Sequence, residues 1–270
     1  VPEAFTRRLH QEAAARGVSI IGPATVGGIM PGRFRIGNAG GAVENLLLAK
    51  LYRPGSVGYT TKSGGMSNEL NNIIGLNADG VREGIAIGGD RWPGVRFLDV
   101  LLRFEADPNV KMMVLLGEVG GEEEHRVAAA LLHGRLTKPL VAWCCGTAGE
   151  SLGGVQFGHA GARARGAHET AGAKNRSLAH AGARVPRSFD DFGDLIAKVY
   201  KELVDTGKIE PPAPEPPAPE LPADFEVLKK KGLVRKATNF VCSISDDRGA
   251  EPTYAGVPIS EIAGEPELGV

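Results

Sequence analysis

Cysteine is scarce. Cys144, Cys145 and Cys242 are the only three in 270 residues, and none forms a C-x-x-C pair. Three thiols cannot build a disulfide framework, so ordinary reduced cysteines in a cytoplasmic protein are expected. An excess of one charge is also missing. Against 32 Asp+Glu stand 31 Lys+Arg, a formal net charge of −1 with histidine neutral. That balance excludes the basic footprint of a dedicated nucleic-acid binder and a polybasic membrane anchor. No apolar run approaches the ~18 residues of a spanning helix, and no secretory signal opens the sequence. Zinc-protease, P-loop and calcium-loop patterns are absent, and no set of metal ligands is expected.

Glycine is what the chain has in excess: 38 residues, about twice the usual ~7%. Without a collagen period, this marks tight turns and places where backbone approaches a ligand. With 42% apolar residues there is material for a sizeable core, and the length suggests one or two domains. Phe5, Leu9 and Ala13 repeat at helical spacing, and a short strand is expected over Val18–Ile21. Residues 1–54 read as the trailing part of an α/β domain. From about Ser56, strands alternate with helices of 10–15 residues. The strands are expected at Ser56–Thr60, Ile85–Ile87, Lys111–Leu116 and Leu140–Cys145, with Arg184-Val185 extended. This alternation implies βαβ units and a doubly wound parallel sheet over residues 55–208. Between Pro211 and Pro222, seven of twelve residues are proline. Residues 209–223 therefore read as an extended linker, not a packed element. Residues 224–270 are too few for a confident core of their own and read as the start of a further domain.

Open parallel sheets bind ligands at the carboxyl ends of their strands, and the unusual residues fall there. Lys62-Ser63-Gly64-Gly65 opens a helix whose amides and dipole suit an anion, with Asn68 one turn on. Gly88-Gly89-Asp90-Arg91 follows the next strand, and Gly117-Glu118-Val119-Gly120-Gly121 the third. Gly158-His159-Ala160-Gly161-Ala162 lies beyond the fourth. Each piece has a plainer reading. Ser63 is then a helix cap, Glu118 a surface carboxylate, Asp90–Arg91 a turn ion pair and Lys62 a solvated lysine. His10, His125, His133, His168 and His180 lie on helical stretches and read as surface residues. His159 alone sits in a glycine-rich loop without periodicity. Imidazole is substantially neutral, hence nucleophilic, near pH 7. Glu118 accepting from one ring nitrogen would fix the tautomer, and the amides at Gly64 and Gly65 would hold a phosphoryl group. Gly149-Glu150-Ser151-Leu152-Gly153 matches a nucleophile elbow, but no strand runs straight into it and no acid and histidine follow in order.

The two loops Gly117–Gly121 and Gly158–Ala162 resemble the signatures of the acyl-CoA ligase superfamily that contains the succinyl-CoA ligase α subunit. Further stretches resemble its ATP-citrate lyase branch: Ile20–Gly32, Ser63–Ile74, Ile87–Gly94, Val155–Ala162 and Val185–Phe189. Asn68 and Arg91 depart from the succinate-specific pattern and would suit a bulkier tricarboxylate. The resemblance implies a flavodoxin-like CoA-ligase domain, preceded by the end of a Rossmann-like CoA-binding domain (1–54). Residues 224–270 would begin a citrate-synthase-like module. It also implies that His159 is transiently phosphorylated and oriented by Glu118. Ser63, Gly64 and Gly65 would hold phosphate, and Asn68, Asp90 and Arg91 would line the substrate region. The activity implied is ATP- and CoA-dependent cleavage of citrate to acetyl-CoA and oxaloacetate, supplying lipid biosynthesis. The cofactors implied are CoA, ATP and Mg2+, the last two bound mainly outside this chain. The partners implied are an ATP-grasp region or subunit and an oligomer formed through the citrate-synthase-like module. An ADP-forming succinyl-CoA ligase and a non-catalytic assembly module are the alternatives. The chain by itself is expected to be inactive.

Overall fold

The strand Met112–Glu118 shows why the middle of the chain folds as it does. Met112, Val114 and Leu116 turn to one side of a sheet, Met113 and Leu115 to the other, and all five are buried. A strand apolar on both faces needs a layer of helices on each. The computed structural model describes residues 3–147, 158–159, 161–221, 224–230, 245–246, 251, 253–254 and 257–262. It divides into two units, Val1–Pro219 and Glu220–Val270.

In the first unit, helix α1 (Glu3–Ala15) precedes a hairpin of β1 (Gly27–Met30) and β2 (Phe34–Gly37), then α2 (Val43–Leu48). The α/β alternation follows: β3 (Val57–Thr61), α3 (Gly64–Asn77), β4 (Val81–Ala86), α4 (Phe97–Ala106), β5 (Met112–Glu118), α5 (Glu123–Leu132) and β6 (Leu140–Cys145). Two helices complete it, α6 (Ala171–His180) and α7 (Phe192–Asp205). The sheet order is β2-β1-β4-β3-β5-β6, with β3 to β6 mutually parallel and β1 antiparallel to both neighbours. Arg184 adds a parallel bridge to Val141 beyond β6, completing the flavodoxin-like order. Leu70 and Ile74 of α3 and Phe192, Ile196 and Val199 of α7 cover one face. Phe97, Leu101 and Phe104 of α4, Val127 of α5 and Leu178 of α6 cover the other. The doubly wound sheet is as expected. Its order reverses between β3 and β5, so the loops after these two strands flank the crevice where such folds bind ligands.

Three local expectations change. Val18–Ile21 forms no strand; Ile20 O and Gly22 O accept from Val95 N and Gly94 N, at 2.8 and 2.9 Å, in a loop that offers no strand to pair with. The β1–β2 hairpin was not anticipated, because Gly27 and Gly28 lack the side chains that mark a strand. A Cβ on Gly27 would lie 2.1 Å from Ile36 O, so only glycine fits there. This hairpin extends the central sheet, and the packing shows no break at residue 54. The proline-rich stretch is exposed and irregular but not loose. Arg53 grips Glu215 through two 2.6 Å hydrogen bonds, and Tyr52 Oη donates to Pro216 O at 3.3 Å.

In the second unit, α8 (Phe225–Lys230) and α9 (Ile259–Ile262) accompany a small antiparallel sheet of β7 (Ser245–Asp246), β8 (Thr253–Tyr254) and β9 (Val257–Pro258). No helix among the described residues is long and apolar enough to cross a membrane.

Candidate active site

Glu118 ends β5 at the reversal point of the sheet, and its surroundings fix it firmly. Its peptide N–H donates to Glu124 Oε1 at 3.2 Å, and its carbonyl accepts from Lys174 Nζ at 2.8 Å. Lys174 also donates to Gly120 O at 2.6 Å and to Glu124 Oε2 at 2.5 Å. Both side chains of this ion pair are wholly buried. Two buried charges are tolerated only when paired and fully hydrogen-bonded, and here the pair clamps the backbone that carries Glu118.

Held in this way, Glu118 Oε2 meets His159 Nδ1 at 2.6 Å. A carboxylate is acceptor-only, so Nδ1 is the donor, and in the neutral ring Nε2 then carries the lone pair. The other oxygen, Oε1, is buried without a hydrogen bond among the described residues and lies 3.7 Å from Lys62 Nζ. Lys62 is thus not the solvated lysine of the plainer reading. It is 6% exposed, 6.0 Å from the centre of the Phe97 ring, and compensates the charge of Glu118. The His159 ring rests on Gly89, where a Cβ would lie 2.3 Å from its Cγ. Gly161 N donates to Gly89 O at 3.3 Å, tying this loop to the loop after β4, and Ala162 N to His159 O at 3.0 Å within the loop itself. Behind the pair, burial first and the charge of Glu118 second push the Cys145 thiol up to about 11.

Lys62 leads directly into α3, so His159, Glu118, Lys62 and the helix end form one connected series. Ser63 caps the helix, its Oγ accepting from Met66 N at 3.3 Å. The first amides of a helix have no partner within it, which leaves those of Gly64 and Gly65 available. Gly64 packs tightly, since a Cβ there would lie 2.4 Å from Val26 Cγ1, whereas Gly65 faces open space.

Other expected residues make contacts of their own. Asn68 Oδ1 accepts from Gly40 N at 2.9 Å and ties α3 to the loop after β2. Asp90 Oδ2 accepts from Ala24 N at 2.7 Å, so it forms no turn ion pair with Arg91. Arg91 lies against the Trp92 ring, 5.8 Å from its centre. Both border a cleft of about 380 Å³ that also reaches Lys62, Gly121 and Gly161. Ala160 and residues 149–153 of the apparent nucleophile elbow lie outside the described residues, as does Cys242. Among the described residues, no group of three or more His, Cys, Asp or Glu could hold a metal. The sequence reading missed the Lys174–Glu124 clamp, which helical spacing alone does not reveal. The bed under His159 was signalled only by the Gly88-Gly89 pair.

Residues 60–184 match the family model described as CoA-ligase. The whole chain aligns at 55% identity, over 271 residues, with ATP-citrate synthase from Homo sapiens. The chain is homologous to one segment of ATP-citrate synthase. It spans 24% of the human relative's length. Two archaeal structures agree, each at 50% identity and TM-score 0.81 over 97% of this chain and 42% of theirs. They are Methanosaeta concilii ATP citrate lyase in complex with (3S)-citryl-CoA and the Methanothrix soehngenii enzyme in complex with citrate and coenzyme A.

Proposed function

We propose that this chain supplies the phosphoryl-carrying segment of an ATP-citrate lyase, with His159 as the carrier. The observation that carries this reading is the 2.6 Å bond from Nδ1 to Glu118, which orients the ring and leaves Nε2 as the nucleophile. Nε2 attacks the γ-phosphorus of ATP, and the bond to ADP breaks. The imidazolium that develops is stabilised by Glu118, whose own charge is balanced by Lys62. The open amides of Gly64 and Gly65 donate to the phosphoryl oxygens. A citrate carboxylate then takes the phosphoryl group, breaking the P–N bond. The CoA thiol displaces phosphate to give citryl-CoA, which a further module splits into acetyl-CoA and oxaloacetate. That product would feed lipid biosynthesis in the cytoplasm. The archaeal relatives' ligands, citrate and coenzyme A, support this substrate pair.

Magnesium and the nucleotide would be held elsewhere, on an ATP-grasp region or subunit. Among the described residues, no group of three or more His, Cys, Asp or Glu could hold the magnesium. Asn68, Asp90 and Arg91 shape the substrate region from one remove. Assembly would proceed through the module that residues 224–270 begin.

The test joins this chain to the nucleotide-binding segment of a relative and supplies γ-labelled ATP with Mg2+. An acid-labile, alkali-stable label on His159 is expected, absent from His159→Ala and discharged by citrate in preference to succinate. Glu118→Gln should slow labelling by roughly 10²–10⁴-fold. Label that persists in His159→Ala would overturn the proposal.

A further inference from the structure

We propose that Ser67 is a positioning residue: it aims the two open amides of α3 at the phosphoryl group through the peptide planes they belong to. The inference deepens the phosphohistidine reading, and it rests on the part of that reading that seats phosphate on Gly64 and Gly65.

The case begins with where each amide of the first turn goes. The peptide N–H of Ser63 donates to Thr61 Oγ1 at 3.2 Å, and that of Met66 to Ser63 Oγ at 3.3 Å. The N–H of Ser67 makes the first bond of the helix itself, to Ser63 O at 3.0 Å. Gly64 and Gly65 are left, and both lack the side chain that narrows backbone freedom. An open glycine amide points steadily at a ligand only when something else holds its direction.

A peptide unit is planar and trans, so whatever fixes its carbonyl also fixes the N–H of the next residue. The N–H of Gly64 shares a plane with Ser63 O, and the N–H of Gly65 shares one with Gly64 O. Ser63 O is held by Ser67 N, and Gly64 O accepts from Ser67 Oγ at 2.6 Å. One residue therefore grips both planes, one with its backbone and the other with its hydroxyl. A hydrogen bond on a carbonyl also polarises the amide of the same unit and strengthens it as a donor.

The burial of Ser67 fits such a task. It lies on the inward face of α3 with Leu70 and Ile74 and is 1% exposed. A hydroxyl in that place is costly unless it is bonded. Serine is no strong helix former, and its side chain bonding back to the preceding turn weakens a helix slightly. Neither propensity nor packing therefore asks for it. The wholly buried Tyr59 hydroxyl is hydrogen-bonded to Ser67, and burial keeps this phenol neutral, its pKa far above the ordinary value. With its own proton on Gly64 O, Ser67 Oγ has lone pairs left to accept from that phenol.

The test is titration of the nitrogen-15-labelled 270-residue chain with inorganic phosphate, followed at the Gly64 and Gly65 amides. Both signals should shift on binding in the parent. Without ligand, Ser67→Ala should move the Gly65 amide and leave Gly64, whose plane keeps its main-chain bond, close to the parent. Phosphate binding should weaken roughly 5- to 10-fold, and Ser67→Thr, which keeps the hydroxyl, should restore it. In a His159→Ala background the same dependence on Ser67 should persist, so failure of His159 labelling and failure of this inference are told apart. Equal displacement of both amides in Ser67→Ala, as a frayed helix would give, would overturn the proposal. So would unchanged phosphate binding in Ser67→Ala, a Ser67→Thr that binds no better than Ser67→Ala, or amides in the parent that ignore phosphate.

Discussion

The two loops that bring Glu118 and His159 together are held in opposite ways. The Glu118 loop is clamped from beneath by the buried Lys174–Glu124 pair, which reaches two of its carbonyls and one of its amides. The described part of the His159 loop rests on two backbone hydrogen bonds, a glycine bed and the bond to Glu118 itself. The carboxylate is thus the fixed partner, and the imidazole of His159 is positioned by reference to it. An enzyme of this kind would keep its orienting group rigid and let the group that changes covalent state be placed by one strong hydrogen bond.

Breaking the clamp should cost most. Lys174→Met strands a buried carboxylate at Glu124 and should destabilise the chain by about 3–5 kcal/mol, read from urea denaturation. Substitution of both partners by apolar residues should recover much of that loss. On the other loop, stability and function should separate. Gly89→Ala pushes the His159 ring off its bed, so labelling of His159 should fall at least about tenfold, a loss of ~1.4 kcal/mol in the barrier. The urea midpoint should barely move, since a ring at the end of a side chain can swing away.

The rigid side has a chemical signature too. With its thiol at about 11 through burial and the nearby Glu118, Cys145 should alkylate slowly at pH 8. Glu118→Gln removes the second cause, so the reaction should quicken, measurable by mass spectrometry. The smallest effect concerns the strap. The Arg53 hydrogen bonds hold the Glu215 carboxyl below its ordinary value. The sign follows: the tether's contribution is full above the unfolded pKa and is lost as pH falls through the lower folded one. Glu215→Gln should therefore lower stability at pH 7 by less than about 1 kcal/mol, and the difference from the parent should vanish in acid.

Much of this was legible in the sequence because the alternation of buried strands and amphipathic helices is a strong local signal. The parallel strands, the cap at Ser63 and the gathering of Glu118 and His159 at strand ends all came from it. The hairpin did not, because Gly27 and Gly28 enter a strand through backbone fit and not through side-chain pattern. Lys62 read as a solvated lysine for a related reason, and Lys174 carried no signal. A lysine's burial depends on a partner that only the folded chain supplies, here Glu118 and Glu124. Asn68 was legible in part: its place on α3 was, but its turn toward Gly40 was not.

The tautomer of His159 is the most direct test of the central claim, and it needs neither nucleotide nor partner. Nitrogen-15 correlation spectra of the 270-residue chain, recorded where the ring is neutral, should show the proton on Nδ1 and an unprotonated Nε2, with that preference weakened in Glu118→Gln. A proton resident on Nε2, indifferent to Glu118, would leave the ring without its nucleophile and contradict the account.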